Sequence, residues 1–243
     1  MMEELTRTLR LLLCAVAVAV MLVPAAGATT SPSTLFASIL DAGEQQQSVH
    51  YISTASSTSS HVVQVADVGP GQGIQRITCT CKGQLGHVTV LVTGGNAYVL
   101  GDTFGLINYM GFNADAATTY SERWVQIPPT DRNFKAVSSD VTLPSSIIDL
   151  SLPRPLRPSP NREVKGRAVI GVTGTLPATA GSPALTMTLY TRASGTPLPV
   201  EEDVVKGDYS GSVSFSHWNE RLHIATPPDA TPISITTLES LPA

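Results

Sequence analysis

Two segments late in the chain alternate strictly between apolar and polar side chains. Leu185, Met187 and Leu189 share one face of an extended segment, with Thr186, Thr188 and Tyr190 on the other. Val213, Phe215 and His217 likewise oppose Ser212, Ser214 and Ser216. A period of two predicts strands of a sheet with one apolar and one polar face. Further strands are predicted at 48–55, 61–68, 73–81, 87–93 and 97–100, each rich in β-branched residues and bounded by Ser/Thr or glycine turns. Gly94-Gly95-Asn96 has the chemistry of a tight hairpin turn. The second half adds strands at 164–175, 184–193 and 210–217, and a weaker one at 198–206.

Helical spacing occurs between these strands. Ser33 is placed to cap a helix that puts Leu35, Phe36, Ile39 and Leu40 on one face and stops at Gly43. Residues 102–111 predict a short helix, and Asn113 caps another over 114–120, with Asp115 near its positive end. A short strand is expected at 124–127, then a helix from Thr130 to about Ser138 and another over 145–150. The proline-rich stretch 153–160 reads as an extended crossing between the halves. The apolar sheet face needs cover, and the N-terminal helix and the cluster at 103–150 are the apolar helices available for it. The expected class is therefore α+β, a curved antiparallel sheet (a half-open barrel) with helices packed on its concave apolar face.

The first residues form a separate unit of pattern. Arg7 and Arg10 precede an uncharged apolar run from Leu11 to Val23, followed by Pro24 and Ala26-Gly27-Ala28. This reads as a secretory signal over residues 1–28, cleaved before Thr29, with a single domain over 29–243. Thirteen residues at about 1.5 Å each span ~20 Å, short of a ~30 Å hydrocarbon core, which favours a cleaved signal over a retained anchor. Cys14 follows Leu13 inside the apolar run, the wrong setting for a lipidated cysteine. The chain is thus expected to be secreted or held in the periplasm or cell envelope. Its net charge of −4, without a basic cluster, argues against nucleic acid or an anionic membrane as main partner. Charged residues are only 14%, while Ser, Thr, Gly and Pro abound, as in extracellular β proteins.

No catalytic constellation emerges. Cys79 and Cys81 at i and i+2 of a strand face one side, which leaves open free thiols or a strained local disulfide. His217, Glu220 and His223 are close in sequence, but a polar turn explains them better than a metal site. Gly69-Pro70-Gly71-Gln72-Gly73 opens a strand, where a phosphate loop would open a helix. Gly207-Asp208-Tyr209-Ser210-Gly211 has its serine one place late for a nucleophile elbow. Neither a cofactor nor a metal is implied.

The order of elements resembles the mycobacterial LppX/LprG-type lipoproteins and, more distantly, the LolA-like lipoprotein carriers. The resemblance lies in Ser48-Val49-His50, Gly94-Gly95-Asn96-Ala97-Tyr98-Val99, Gly105-Leu106-Ile107-Asn108-Tyr109, Arg123-Trp124-Val125-Gln126-Ile127-Pro128 and the closing Val213-Ser214-Phe215-Ser216-His217-Trp218-Asn219. It implies a half-open barrel whose helices cap an apolar cavity able to hold acyl chains. The expected function is extracytoplasmic binding or carriage of a lipid or other apolar small molecule, with transient membrane or envelope-protein contact. Such relatives are commonly lipid-anchored through an N-terminal cysteine, which this chain lacks. Burying an acyl chain gains ~0.8 kcal/mol per CH₂, so ten carbons could contribute roughly 8 kcal/mol before entropy costs. The expected lining is Val88, Val90, Val92, Leu185, Met187, Leu189, Val213 and Phe215, with Leu106, Ile107, Met110 and Phe112 as a movable lid. A filled core built from the same residues, in a secreted structural or protein-interaction module, is the alternative.

Overall fold

A computed structural model describes residues 30–233 apart from 133 and 149; the predicted signal at 1–28 lies outside the described residues. Helix α1 spans Pro32–Glu44. Ser31 caps it, two residues earlier than expected, its hydroxyl accepting from the Thr34 N–H at 3.1 Å. Pro32 explains the shift, since its fixed φ and missing N–H suit the first helical position. Five strands follow as a meander: β1 (Val49–Ser56), β2 (Ser60–Gly69), β3 (Gln72–Cys81), β4 (Gln84–Thr93) and β5 (Asn96–Gly101). Gly94 and Gly95 both take positive φ in the tight β4–β5 turn, as anticipated.

Helices α2 (Thr103–Asn108) and α3 (Ala114–Tyr120) come next, then β6 (Val125–Ile127) and helices α4 (Phe134–Ser138) and α5 (Leu143–Ile148). Asp102 and Asn113 cap α2 and α3 by accepting from the Gly105 and Ala116 N–H groups. Thr130 does not cap α4. The Asp131 N–H instead closes a turn on the Pro128 carbonyl at 3.0 Å, which delays the helix.

The second meander is β7 (Leu156–Val164), β8 (Arg167–Leu176), β9 (Leu185–Arg192), β10 (Pro199–Lys206) and β11 (Tyr209–Ser216); a two-residue β12 (Thr231–Pro232) ends the described chain. Two expectations are corrected here. The proline-rich crossing is largely the edge strand β7, which tolerates proline because one side needs no ladder donor. The strand expected at 164–175 breaks after Val164 at Lys165-Gly166, both at positive φ, making a β7–β8 hairpin.

All twelve strands form one open, curved sheet in the order β12-β6-β5-β4-β3-β2-β1-β11-β10-β9-β8-β7. Every pairing is antiparallel except β12 with β6. The join between halves is β1 with β11, Tyr51 opposite Phe215. Helices cover one face in two packed clusters. Val88, Val90, Val92, Val99 and Ile127 pack with Leu106, Phe112 and Ala117 at one end. Val49, Ala66, Val172, Leu189 and Phe215 pack with Ile39, Leu143 and Ile147 at the other. The expected α+β class and the helix-covered apolar face are both observed.

Glycines set how closely the cover lies. A side chain at Gly73 on β3 would overlap the Val141 carbonyl, and one at Gly174 on β8 would overlap that of Pro153. The segment 141–153, carrying α5, is thus laid backbone-to-backbone onto the sheet at both ends. Gly86 and Gly105 seat α2 on β4 in the same way.

Candidate functional site

Strand register places a polar row in the middle of the covered face. Reading across the ladder from β4 to β8, the row is Val88, Ile77, Gln64, Ser53, Val213, Glu202, Leu189 and Val172. Its two ends are apolar, while Gln64, Ser53 and Glu202 occupy its centre. The neighbouring row contributes Tyr51 and Gln75. These polar groups lie between the two hydrophobic clusters, where parity alone predicts valines and leucines.

Above them is a recess of about 160 Å³, lined by Tyr51, Ser53, Gln64, Asp140, Ser146, Leu150, Glu202, Val213 and Phe215. Most polar groups here are tied together. The Tyr51 hydroxyl donates to the Asp140 carbonyl at 2.6 Å and accepts from Gln75 Nε2 at 2.8 Å. Ser146 Oγ donates to the carbonyls of Thr142 and Asp140, and Gln64 Nε2 donates to the Tyr109 hydroxyl at 2.5 Å. Burial raises the Tyr51 and Tyr109 hydroxyl pKa values, keeping both neutral and able to donate.

Glu202 differs. It is 6% exposed, and its Oε1 has no hydrogen-bond partner. Burial, and secondarily the charge of Asp203, push its carboxyl up to about 7. On the opposite face its neighbours Glu201 and Asp203 pair with Arg162, whose guanidinium stacks on the Tyr190 ring at 3.8 Å.

The expected lining residues separate into three groups. Val213 and Phe215 line the recess. Val88, Val90, Val92, Leu106 and Phe112 are buried in the first cluster, with Met110 against it; Leu189 is buried in the second, with Met187 against it. Leu185 lies half-buried near a strand end, and Ile107 is 37% exposed. The segment expected as a lid is held down by the Gly86–Gly105 approach. From the segment after α4, Asp140, Ser146 and Leu150 line the recess instead. Tyr51, Gln64, Gln75 and Glu202 escaped sequence reasoning, although their parity on the strands was a usable signal.

Cys79 and Cys81 are both free thiols, Cys79 buried. Burial and the nearby Asp102 raise the Cys79 pKa. His217 does not continue the β11 alternation. Its positive φ turns it to the outer face, where its ring meets His50 edge-on at 5.6 Å and His50 bonds Asp67 at 2.8 Å. There a groove of about 460 Å³ is lined by Arg76, Glu220, Arg221 and His223 together with the apolar Ile74, Leu91 and Leu222. No three His, Cys, Asp or Glu side chains among the described residues converge as metal ligands would. Among them, too, no helix is long and apolar enough to cross a membrane.

An open curved sheet with helices over one face and a recess between two clusters defines the LolA-like class of fold. In particular, the chain is similar to LprF from Mycobacterium bovis, with 17% identity, a TM-score of 0.53 and coverage of 81% of this chain and 96% of that one. The lipoprotein LppX from Mycobacterium tuberculosis is 19% identical, with a TM-score of 0.49 and coverage of 80% and 100%. The likeness to LprF bears out the resemblance to LppX/LprG-type lipoproteins at the level of fold. No family model and no curated protein matches the chain.

Proposed function

We propose that the protein binds or carries a lipid or other apolar ligand outside the cytoplasm, in the cell envelope. The observation that carries this reading is the recess on the helix-covered face, with Leu150, Val213 and Phe215 as its apolar wall and a buried polar floor. The fold shared with LprF supports it. At about 160 Å³ the recess equals the liquid volume of about five waters, enough for a ligand's polar end and its first carbons. No cofactor takes part, and the protein is not an enzyme in this reading.

The test is organic extraction of protein purified from its native host, followed by mass spectrometry, with long-chain lipid binding measured in vitro. A stoichiometric extracted lipid that rebinds the stripped protein is the expected result. Absence of lipid in the extract together with no binding in vitro would overturn the reading. A second reading, a secreted interaction module with a filled core, draws on the close packing of Val88, Val90, Val92, Leu106 and Phe112. It predicts the negative result and a protein partner recovered by cross-linking.

A further inference from the structure

Glu202 contributes the one carboxyl group among the buried described residues, and it stands on the apolar face with an acceptor oxygen that nothing satisfies. A buried, unpaired acceptor is costly, and native structures seldom leave one without a partner. The partner Glu202 lacks belongs on the recess side, because Leu189 and Val213 flank it along the ladder. We infer that the recess receives the polar end of an amphiphile, that this end is a hydrogen-bond donor such as a hydroxyl or ammonium group, and that Glu202 Oε1 accepts from it. The inference rests on the carrier reading above and names the chemistry of its ligand.

The other lining groups favour the same head. Tyr51, Gln64 and Ser146 already direct donors to Asp140, Tyr109 and Thr142, so an incoming anion would have to break those bonds to be satisfied. No lysine, arginine or histidine is among the described residues that line the recess, while two carboxyl-bearing residues, Asp140 and Glu202, are. Above pH 7, where the Glu202 carboxyl is ionised, a carboxylate or phosphate head would therefore meet like charge, with no cationic lining residue to offset it. An ammonium or hydroxyl head finds an acceptor, and its alkyl chain leaves along Leu150 and Phe215.

The test compares three amphiphiles of equal chain length, dodecylamine, 1-monolauroylglycerol and laurate, titrated below their micelle concentrations into the full chain stripped of lipid, at a pH of about 8.5 where the Glu202 carboxyl is ionised. Hydrogen bonds to a buried charged group predict that the amine and the glycerol ester bind about ten-fold or more tighter than laurate. Glu202→Leu, which removes the acceptor, should erase that preference while the alkyl chains still bind. Glu202→Gln keeps a neutral acceptor, so it should retain the glycerol ester and lose the advantage of the amine. Circular dichroism of each variant establishes that it is folded, and the isosteric Gln variant carries the test if the Leu variant is not. Binding of all three with equal affinity, or a preference unchanged in both variants, overturns the Glu202 assignment and leaves the carrier reading standing. Failure of all three to bind the wild type overturns both.

Discussion

Replacing Glu202 by glutamine should make the protein more stable at neutral pH and leave it nearly unchanged in acid. Burial lifts the Glu202 carboxyl to about 7 in the folded chain, against an ordinary glutamate value of 4.5 in the unfolded one. Below about pH 4 both states hold the proton, and the stability the protonated group confers is fully present. As pH rises the unfolded state releases its proton first. Stability then falls until the folded carboxyl also ionises near pH 7, and levels off above that. A gap of about 2.5 pH units at 1.36 kcal/mol each amounts to roughly 3 kcal/mol. Glutamine has the same shape and no charge, so the Glu202→Gln protein should lack this decline. At pH 8 it should exceed the wild type by about 3 kcal/mol, or roughly 6–12 °C in Tm. Urea unfolding of lipid-free protein between pH 4 and 8 measures this directly. Trp218, stacked on Phe215 beside the recess, supplies the fluorescence signal. Glu201, Asp203 and Arg162 are present in both proteins, so their titration largely cancels in the difference. Parallel pH profiles, or a variant that is weaker at pH 8, would refute the burial argument.

Further expectations concern the cover and the core. Gly73→Ala and Gly174→Ala each place a methyl against a backbone carbonyl of the 141–153 segment, so each should cost about 1–3 kcal/mol in urea unfolding and raise amide exchange across that segment. Gly71→Ala, with open space around its Cβ site but a positive φ, should cost only about 1 kcal/mol, which separates clash from conformational strain. Phe112→Ala empties a fully buried site in the first cluster and should cost about 3–5 kcal/mol by the same measurement. Cys79, buried and with its thiol pKa raised by burial and Asp102, should alkylate more slowly than Cys81 below pH 8 when peptides are followed by mass spectrometry.

Much of the fold is legible because local patterns and tertiary structure agree. Strands β9 and β11 announce their faces by alternation, Asn113 announces α3, and Gly94-Gly95 announces a hairpin. Where reading failed, a local signal had two physical meanings. Prolines 158 and 160 suit a free extended segment and an edge strand equally, and only the neighbour β8 decides between them. Lys165-Gly166 sits inside a run apolar enough to read as one strand, so the hairpin there is visible only from its backbone. Glycines 73 and 174 lie where the backbone at Val141 and Pro153 comes down on the sheet, a contact between distant segments that no local pattern specifies.

The site was harder for a different reason. An expectation of an apolar lining selects the most apolar inward positions, and those are the positions that fill a core: Val88, Val90, Val92 and Leu189 are all packed. What distinguishes a place built to receive something is a departure from the local rule, a polar group where parity demands an apolar one. Gln64, Gln75 and Glu202 are such departures, each visible singly on its own strand. Their assembly depends on β1 pairing with β11, which joins residues from opposite ends of the chain and brings Ser53 to Val213 and Val213 to Glu202. No local periodicity encodes that pairing. Once it is given, the count that turns Leu189 and Phe215 inward turns Glu202 inward as well. The carboxyl that weakens the fold at neutral pH is then the group most in need of a ligand.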